Sequence, residues 1–270
     1  MSLDLQELTA DWDHSTGEIC ARLIVGCDGV ELVQLRVDLG VMQMFPDGRP
    51  DGQRYRGFPR VLDFILHEQR LETGQPEPDD WRELEREIYQ VNYRRLAFSD
   101  LAEEALVNQE PETAATHLRQ ALRDIDYCLR CIDLARAAPG YRLGGSAVAL
   151  RPALLFHAGR LRTQIAVVQS RYDAAVEAAE QAEQQLLTLL DDMGLDEEQR
   201  EQDPGVLFLR ELAQRLRDEY NIAGTLQEQL EEAIQNEDFE TAARLRDEIR
   251  QRQKEEQEPR EDDYPPPDNP

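Results

Sequence analysis

Three stretches of this chain share one grammar: Pro111-Glu-Thr-Ala114-Ala115, Tyr172-Asp-Ala-Ala175 and Phe239-Glu-Thr-Ala242-Ala243. Each follows a polar turn, opens a segment of helical period with a bulky residue, and places alanine three positions later. That spacing puts both residues on one helix face, and the small side chain lets the preceding helix approach closely. A chain punctuated in this way folds back on itself as antiparallel helical hairpins. The turns are spaced 61 and 67 residues apart, whereas tetratricopeptide repeats recur about every 34 residues. The expected fold is therefore mainly α, a tetratricopeptide-like array of helical hairpins without a strict repeat.

The periodicity fixes the rest of the organisation. From Gly17 to Phe45 the pattern is β: ICARLIV, a turn at Gly26-Cys27-Asp28-Gly29, then ELVQLRVDLGVMQM, in which Val33, Leu35, Val37 and Leu39 alternate with mostly polar residues. This predicts a hairpin with Asp28-Gly29 in the left-handed turn positions. A Gly/Pro/Asp-rich loop, Asp47 to Pro59, and a short helix over residues 60–71 complete an N-terminal α+β module of residues 1–72. Residues 73–80 read as a linker. A helical array over 80–195 follows, its first helix running from Trp81 to Val107 with Asp79 or Asp80 as cap. C-terminal helices span 204–252, restarting at Asp203-Pro204, and residues 253–270 form an acidic, proline-rich tail too polar to pack.

Charge narrows the function. With 56 acidic against 30 basic residues the formal net charge is -26, so the long-range field repels phosphate backbones and anionic lipid. Neither direct nucleic-acid binding nor membrane association is expected. The start MSLDLQELTADWDH lacks the charged-then-apolar order of a secretory leader, and four cysteines are too sparse for a disulfide scaffold; a cytoplasmic protein is the expectation.

No residue constellation argues for an enzyme. The histidines at 14, 67, 117 and 157 fall in no HExxH arrangement, and no phosphate-binding glycine loop or GxSxG elbow is present. No cofactor is expected. Cys128 and Cys131 are the sharpest metal candidates, but the pair lies inside a helix without a second CxxC, and packing cysteines are the better reading. Arg49, Arg54, Arg56 and Arg60, beside Tyr55 and Phe58, present guanidinium groups from one loop and are candidates for holding an anion. The competing reading sets them against the acidic helices.

The last hairpin is the most specific segment. Leu226, Leu230, Ala233-Ile234, then Asp238-Phe239-Glu240, Ala242-Ala243, Leu245-Arg246-Asp247 and Ile249 resemble the UVR (UvrB/UvrC) motif over residues 226–252. That motif is a helical hairpin found in UvrB, UvrC, ClpC-type unfoldases and the McsA adaptor. The periodicity predicts a stripe of Leu226, Leu230 and Ile234 closing on Phe239, Ala242 and Ile249, with Asp238 capping the second helix. The resemblance implies docking of a protein, or of a second copy of the chain, carried by Leu230, Ile234, Phe239, Leu245, Arg246, Asp247 and Ile249. The repair chemistry of the family's enzymes is not implied, because the phosphate loop of UvrB and the nuclease signature of UvrC are missing. The expected role is a non-enzymatic scaffold or adaptor. Its alternatives are an accessory factor of nucleotide-excision repair or of a Clp-type protease, and a metal or small-molecule sensor.

Overall fold

A computed structural model describes residues 7, 9–71, 76–138, 145–222 and 224–257. Three antiparallel strands come first: β1 (Cys20–Val25), β2 (Glu31–Val37) and β3 (Gly40–Met44), in the order β1-β2-β3. The expected hairpin is thus a three-stranded meander. The run ELVQLRVDLGVMQM breaks at Asp38-Leu39, where Val37 pairs with Gly40 and Leu39 is 95% exposed. The first turn also departs from expectation. Only Gly29 is left-handed, with φ of 82°, and Asp28 is not. Gly29 N–H donates to the Gly26 carbonyl and Gly26 N–H to that of Val30, the arrangement of a three-residue hairpin loop closed by a left-handed glycine. Register sets Val33 against Met44 and Leu35 against Met42, so one sheet face is apolar and turns inward.

That face packs on helix. After α1 (Val61–Leu71) come α2 (Pro78–Val107) and α3 (Pro111–Ala137), a long antiparallel pair. The start of α2 is three residues earlier than expected: Glu77 is the cap, Pro78 lies in the first turn and Asp80 is the capping-box partner. The apolar cluster runs from Ala21, Val33, Leu35 and Met44 through Val61 and Ile65 to Phe98, Ile125, Ile132 and Leu161 without a break. Packing therefore continues across the stretch expected to be a linker, of which residues 73–75 lie outside the described residues. Asp100 on α2 accepts the Ala21 N–H at 2.6 Å, binding β1 directly to the helix.

The array continues with α4 (Gly145–Ala149), α5 (Arg151–Val168), α6 (Tyr172–Asp192), α7 (Glu197–Glu201) and α8 (Pro204–Tyr220). It ends in α9 (Leu226–Gln235) and α10 (Phe239–Gln257). Helix α10 carries five residues into the stretch read as a tail; residues 258–270 lie outside the described residues. Among the described residues no helix is long and apolar enough to cross a membrane.

The three echoing turns share one backbone geometry. Gln109, Ser170 and Glu237 are left-handed, with φ of 61°, 58° and 56°. The following residue's N–H closes back on an alanine carbonyl in each case: Glu110 on Ala105, Arg171 on Ala166, Asp238 on Ala233, at 2.8–2.9 Å. Such bonds satisfy carbonyls that a helix end leaves open. The alanines Ala114, Ala175 and Ala242 are all buried, as the small-residue reading requires.

Helices α5 and α6 approach closely at Gly159. A Cβ built on Gly159 would lie 2.2 Å from the Ala182 Cβ. Gly159→Ala should accordingly lower stability by about 1–3 kcal/mol through overpacking, against alanine's better helix propensity. Thermal or urea melting checks this, and adding Ala182→Gly should recover much of the loss.

Candidate functional site

The α9–α10 hairpin is built locally at both ends. Thr225 caps α9 in a capping box: its Oγ1 accepts the Glu228 N–H at 3.3 Å, and Glu228 Oε2 accepts the Thr225 N–H at 2.7 Å. Asp238 caps α10 by accepting the Thr241 N–H at 3.1 Å, as its place in the sequence predicts. The helices close through Leu226, Leu230 and Ala233 on one side and Ala242, Leu245 and Ile249 on the other. Their spacings, i, i+4, i+7 and i, i+3, i+7, each define one helix face. This apolar cluster contains only the hairpin's own residues.

Two members of the expected seam are outside it. Ile234 is 54% exposed and Phe239 is 71% exposed. At 100° per residue, Ile234 sits about 80° round from Leu226 and Phe239 about 60° from Ala242, so both flank the seam beside the turn. Ala233 and Leu245 take the closing role. Leu245, at 2% exposure, contacts its own hairpin rather than facing outward, which corrects its place among the docking residues. Arg246 and Asp247 are exposed and bonded to each other at 3.0 Å. A groove of about 520 Å³, lined by Gln227, Leu230, Ile249, Arg246 and Arg250, runs along the hairpin. Its lining combines two aliphatic side chains with two guanidinium groups.

The hairpin is attached to the array by polar contacts at its first turn. Arg217 on α8 donates to Glu228 at 2.7 Å and to Glu180 on α6, also at 2.7 Å. Gln227 N–H donates to Glu177 at 3.3 Å. The Arg217 hydrogen bond holds the Glu228 carboxyl below its usual range, and Thr241 does the same for Asp238. Sequence reasoning missed this clamp and Arg250. The T-x-x-E spacing of Thr225 and Glu228 immediately before an apolar run signals the capping box, but no local pattern announces Arg217 as its partner from another helix.

The loop arginines do not converge. Arg49 is buried and bonded to Asp51 at 2.9 Å and Glu83 at 2.7 Å. Arg54 donates to the Gly57 carbonyl, Arg56 pairs with Asp80 at 2.9 Å, and Arg60 lies 4.2 Å over the Tyr127 ring. Each is held by a different internal partner, so the set is a brace between loop and helices rather than one anion site. Cys128 and Cys131 are fully buried on α3; Cys128 Sγ donates to the Ile88 carbonyl at 3.6 Å, and burial pushes both thiols up. Among the described residues no three His, Cys, Asp or Glu side chains group as a metal site.

Comparison with known families places a match on this same segment. The UVR family model, described as the UvrB/uvrC motif, matches residues 221–255, which cover α9, the turn after it and all but the last two residues of α10. The motif covers the C-terminal segment alone. No curated protein and no solved structure matches the chain.

The clamp gives the hairpin a pH dependence. Glu228, with ordinary value 4.5, and Asp238, with ordinary value 3.8, both have depressed folded values. Their contribution is full above those ordinary values and is lost as pH falls through the lower folded ones. Hydrogen exchange should therefore show amides 226–250 losing protection on acidification below about pH 4, as the clamp's carboxylates protonate. Glu228→Gln should show the weakened protection already at neutral pH.

Proposed function

We propose that the protein is a non-enzymatic scaffold or adaptor that captures a protein partner through its C-terminal hairpin. The observation that carries this reading is the disposition of the hairpin's apolar residues. The seam is closed internally, yet Ile234 and Phe239 remain outside it beside the turn, and toward the hairpin's open end Leu230 and Ile249 line a groove together with Arg246 and Arg250. Exposed large apolar side chains beside basic groups suit an amphipathic helix that offers an apolar stripe flanked by carboxylates. The UVR match supports the same reading, since the motif belongs to proteins that work in assemblies.

Binding by this surface is helix against helix. Phe239 supplies the largest exposed apolar side chain of the hairpin and serves as anchor, Ile234 extends it, and Arg246, Asp247 and Arg250 select by charge at the rim. The partner is a protein of a repair or protease assembly, or a second copy of the chain. Co-purification separates these outcomes.

Phe239→Asp in the full-length chain tests the reading directly. Because Phe239 is exposed, the change should leave melting within about 0.5 kcal/mol of the parent while weakening partner capture or self-association at least about tenfold. Light scattering and affinity capture measure both. Leu245→Asp is the contrasting variant: it places a charge in the closed seam and should unfold the hairpin itself. Unaltered capture by Phe239→Asp would refute the docking role of this surface.

A further inference from the structure

The groove on the α9–α10 hairpin gathers positive charge in a protein of net charge -26. Arg246 and Arg250 line it together with Gln227, Leu230 and Ile249. The two arginines stand one turn apart on α10, at i and i+4, and so present their charges from one face. Both are exposed. Arg246 directs Nε and Nη2 at a single oxygen of Asp247, at 3.3 and 3.0 Å. Its Nη1 and the Arg250 guanidinium donate to no described residue. Two carboxylates with an apolar side chain beside them would complement this lining, since charge-assisted bonds to guanidinium are the strong ones.

The sequence carries such a group a few residues further on. Glu258, Glu261, Asp262 and Asp263 follow α10, against the single Arg260, and Tyr264 comes directly after them. Reach permits the contact. Helix α10 ends at Gln257, so at about 1.5 Å per residue Arg250 lies about 10 Å and Arg246 about 17 Å back along it. Asp262 and Asp263 are five and six residues beyond Gln257. A chain turned back over those lengths spans at most about 18 and 21 Å, enough for both aspartates to meet the arginines. Tyr264, one residue on, reaches Ile249 and Leu230. A segment tethered this near its site is present at an effective concentration on the order of millimolar. A second copy of the chain would instead have to bring its own acidic body against this one.

We propose that residues 258–264 dock in the hairpin groove of their own chain. Asp262 and Asp263 meet the Arg250 and Arg246 guanidinium groups, and Tyr264 covers Leu230 and Ile249. Exposed ion pairs of this kind are individually weak and screened by salt, so the contact is reversible. It makes the acidic segment a built-in competitor for the groove, which a partner helix bordered by carboxylates must displace. That competition rests on the docking role proposed for the hairpin, whereas the intramolecular contact does not.

The test places p-benzoylphenylalanine at position 264, in place of Tyr264, in the full-length chain. No partner protein is present, so failure of this contact is distinguishable from failure of partner capture. Irradiation should give a crosslink within one chain, and mass spectrometry should locate it on peptides containing Leu230 or Ile249. The yield should fall at least about threefold in the Arg246→Gln/Arg250→Gln chain and in the Asp262→Asn/Asp263→Asn chain, each of which loses two exposed ion pairs. It should also fall as sodium chloride is raised toward about 1 M. Both arginines are exposed, so the first pair of substitutions should leave the melting temperature unchanged; the second pair alters no residue of the hairpin and supplies an independent reading. Crosslinks that join two chains, crosslinks that fall outside the groove, or a yield insensitive to both pairs of substitutions overturn the proposal.

Discussion

The Arg94–Asp124 pair is the interaction on which the arrangement of the N-terminal half depends. Both side chains are completely buried, and they meet through two bonds of 2.7 Å, Nε to Oδ2 and Nη2 to Oδ1. The remaining Nη1 donates to the carbonyls of Phe45 and Gly48 at 2.9 and 3.0 Å. One guanidinium therefore joins α2, α3 and the loop leaving β3. Removing either partner of such a pair leaves an uncompensated buried charge, typically a loss of about 3–5 kcal/mol. An apolar replacement of both would satisfy neither loop carbonyl. The pair is thus better understood as fixing where the sheet sits on the helices than as a source of net stability.

From that anchor the fold propagates by helix contact. Glu87 extends the polar bracing, accepting the Val61 N–H and the Tyr127 hydroxyl at 2.8 Å each. Beyond α3 the bracing gives way to small residues, with Gly159 against Ala182 and buried Ala175 and Ala179. The recurring turn, a left-handed residue and a cap followed by a buried alanine, carries the chain from one helix to the next. At the last hairpin the same turn recurs, but nothing of the body enters its seam, and polar groups alone hold it at one end. Stability should accordingly decline along the chain toward the hairpin, since local opening follows buried apolar contact. A hairpin attached in this way can shift or open without disturbing the sheet.

Much of this was legible in the sequence because helical hairpins are specified by local signals. The alanines at 114, 175 and 242 announced their turns, and Asp203 and Asp238 announced their caps. The β-meander was misread because the alternation seems continuous across Asp38-Leu39. The informative signal was a change of phase: apolar positions are odd at Val33 and Leu35, then even at Met42 and Met44, as a two-residue turn dictates. Ile234 and Phe239 were misplaced for a related reason. Composition marks them as apolar, but their angular offset from the seam decides whether they close it. The destinations of Arg49, Arg56 and Arg217 lie in partners 34, 24 and 37 or fewer residues away on other elements, and no local pattern encodes those.

Charge distribution relates the two ends of the molecule. A body of strongly negative net charge repels copies of itself and other acidic surfaces at long range. At the hairpin groove two guanidinium groups, Arg246 and Arg250, lie beside Leu230 and Ile249. At physiological salt the field decays over about 8 Å, so a docking helix at the groove responds to this local rim more than to the distant total. The rim favours a partner whose apolar stripe is bordered by carboxylates. The rest of the acidic surface opposes nucleic acid, whose phosphates would have to approach the whole body.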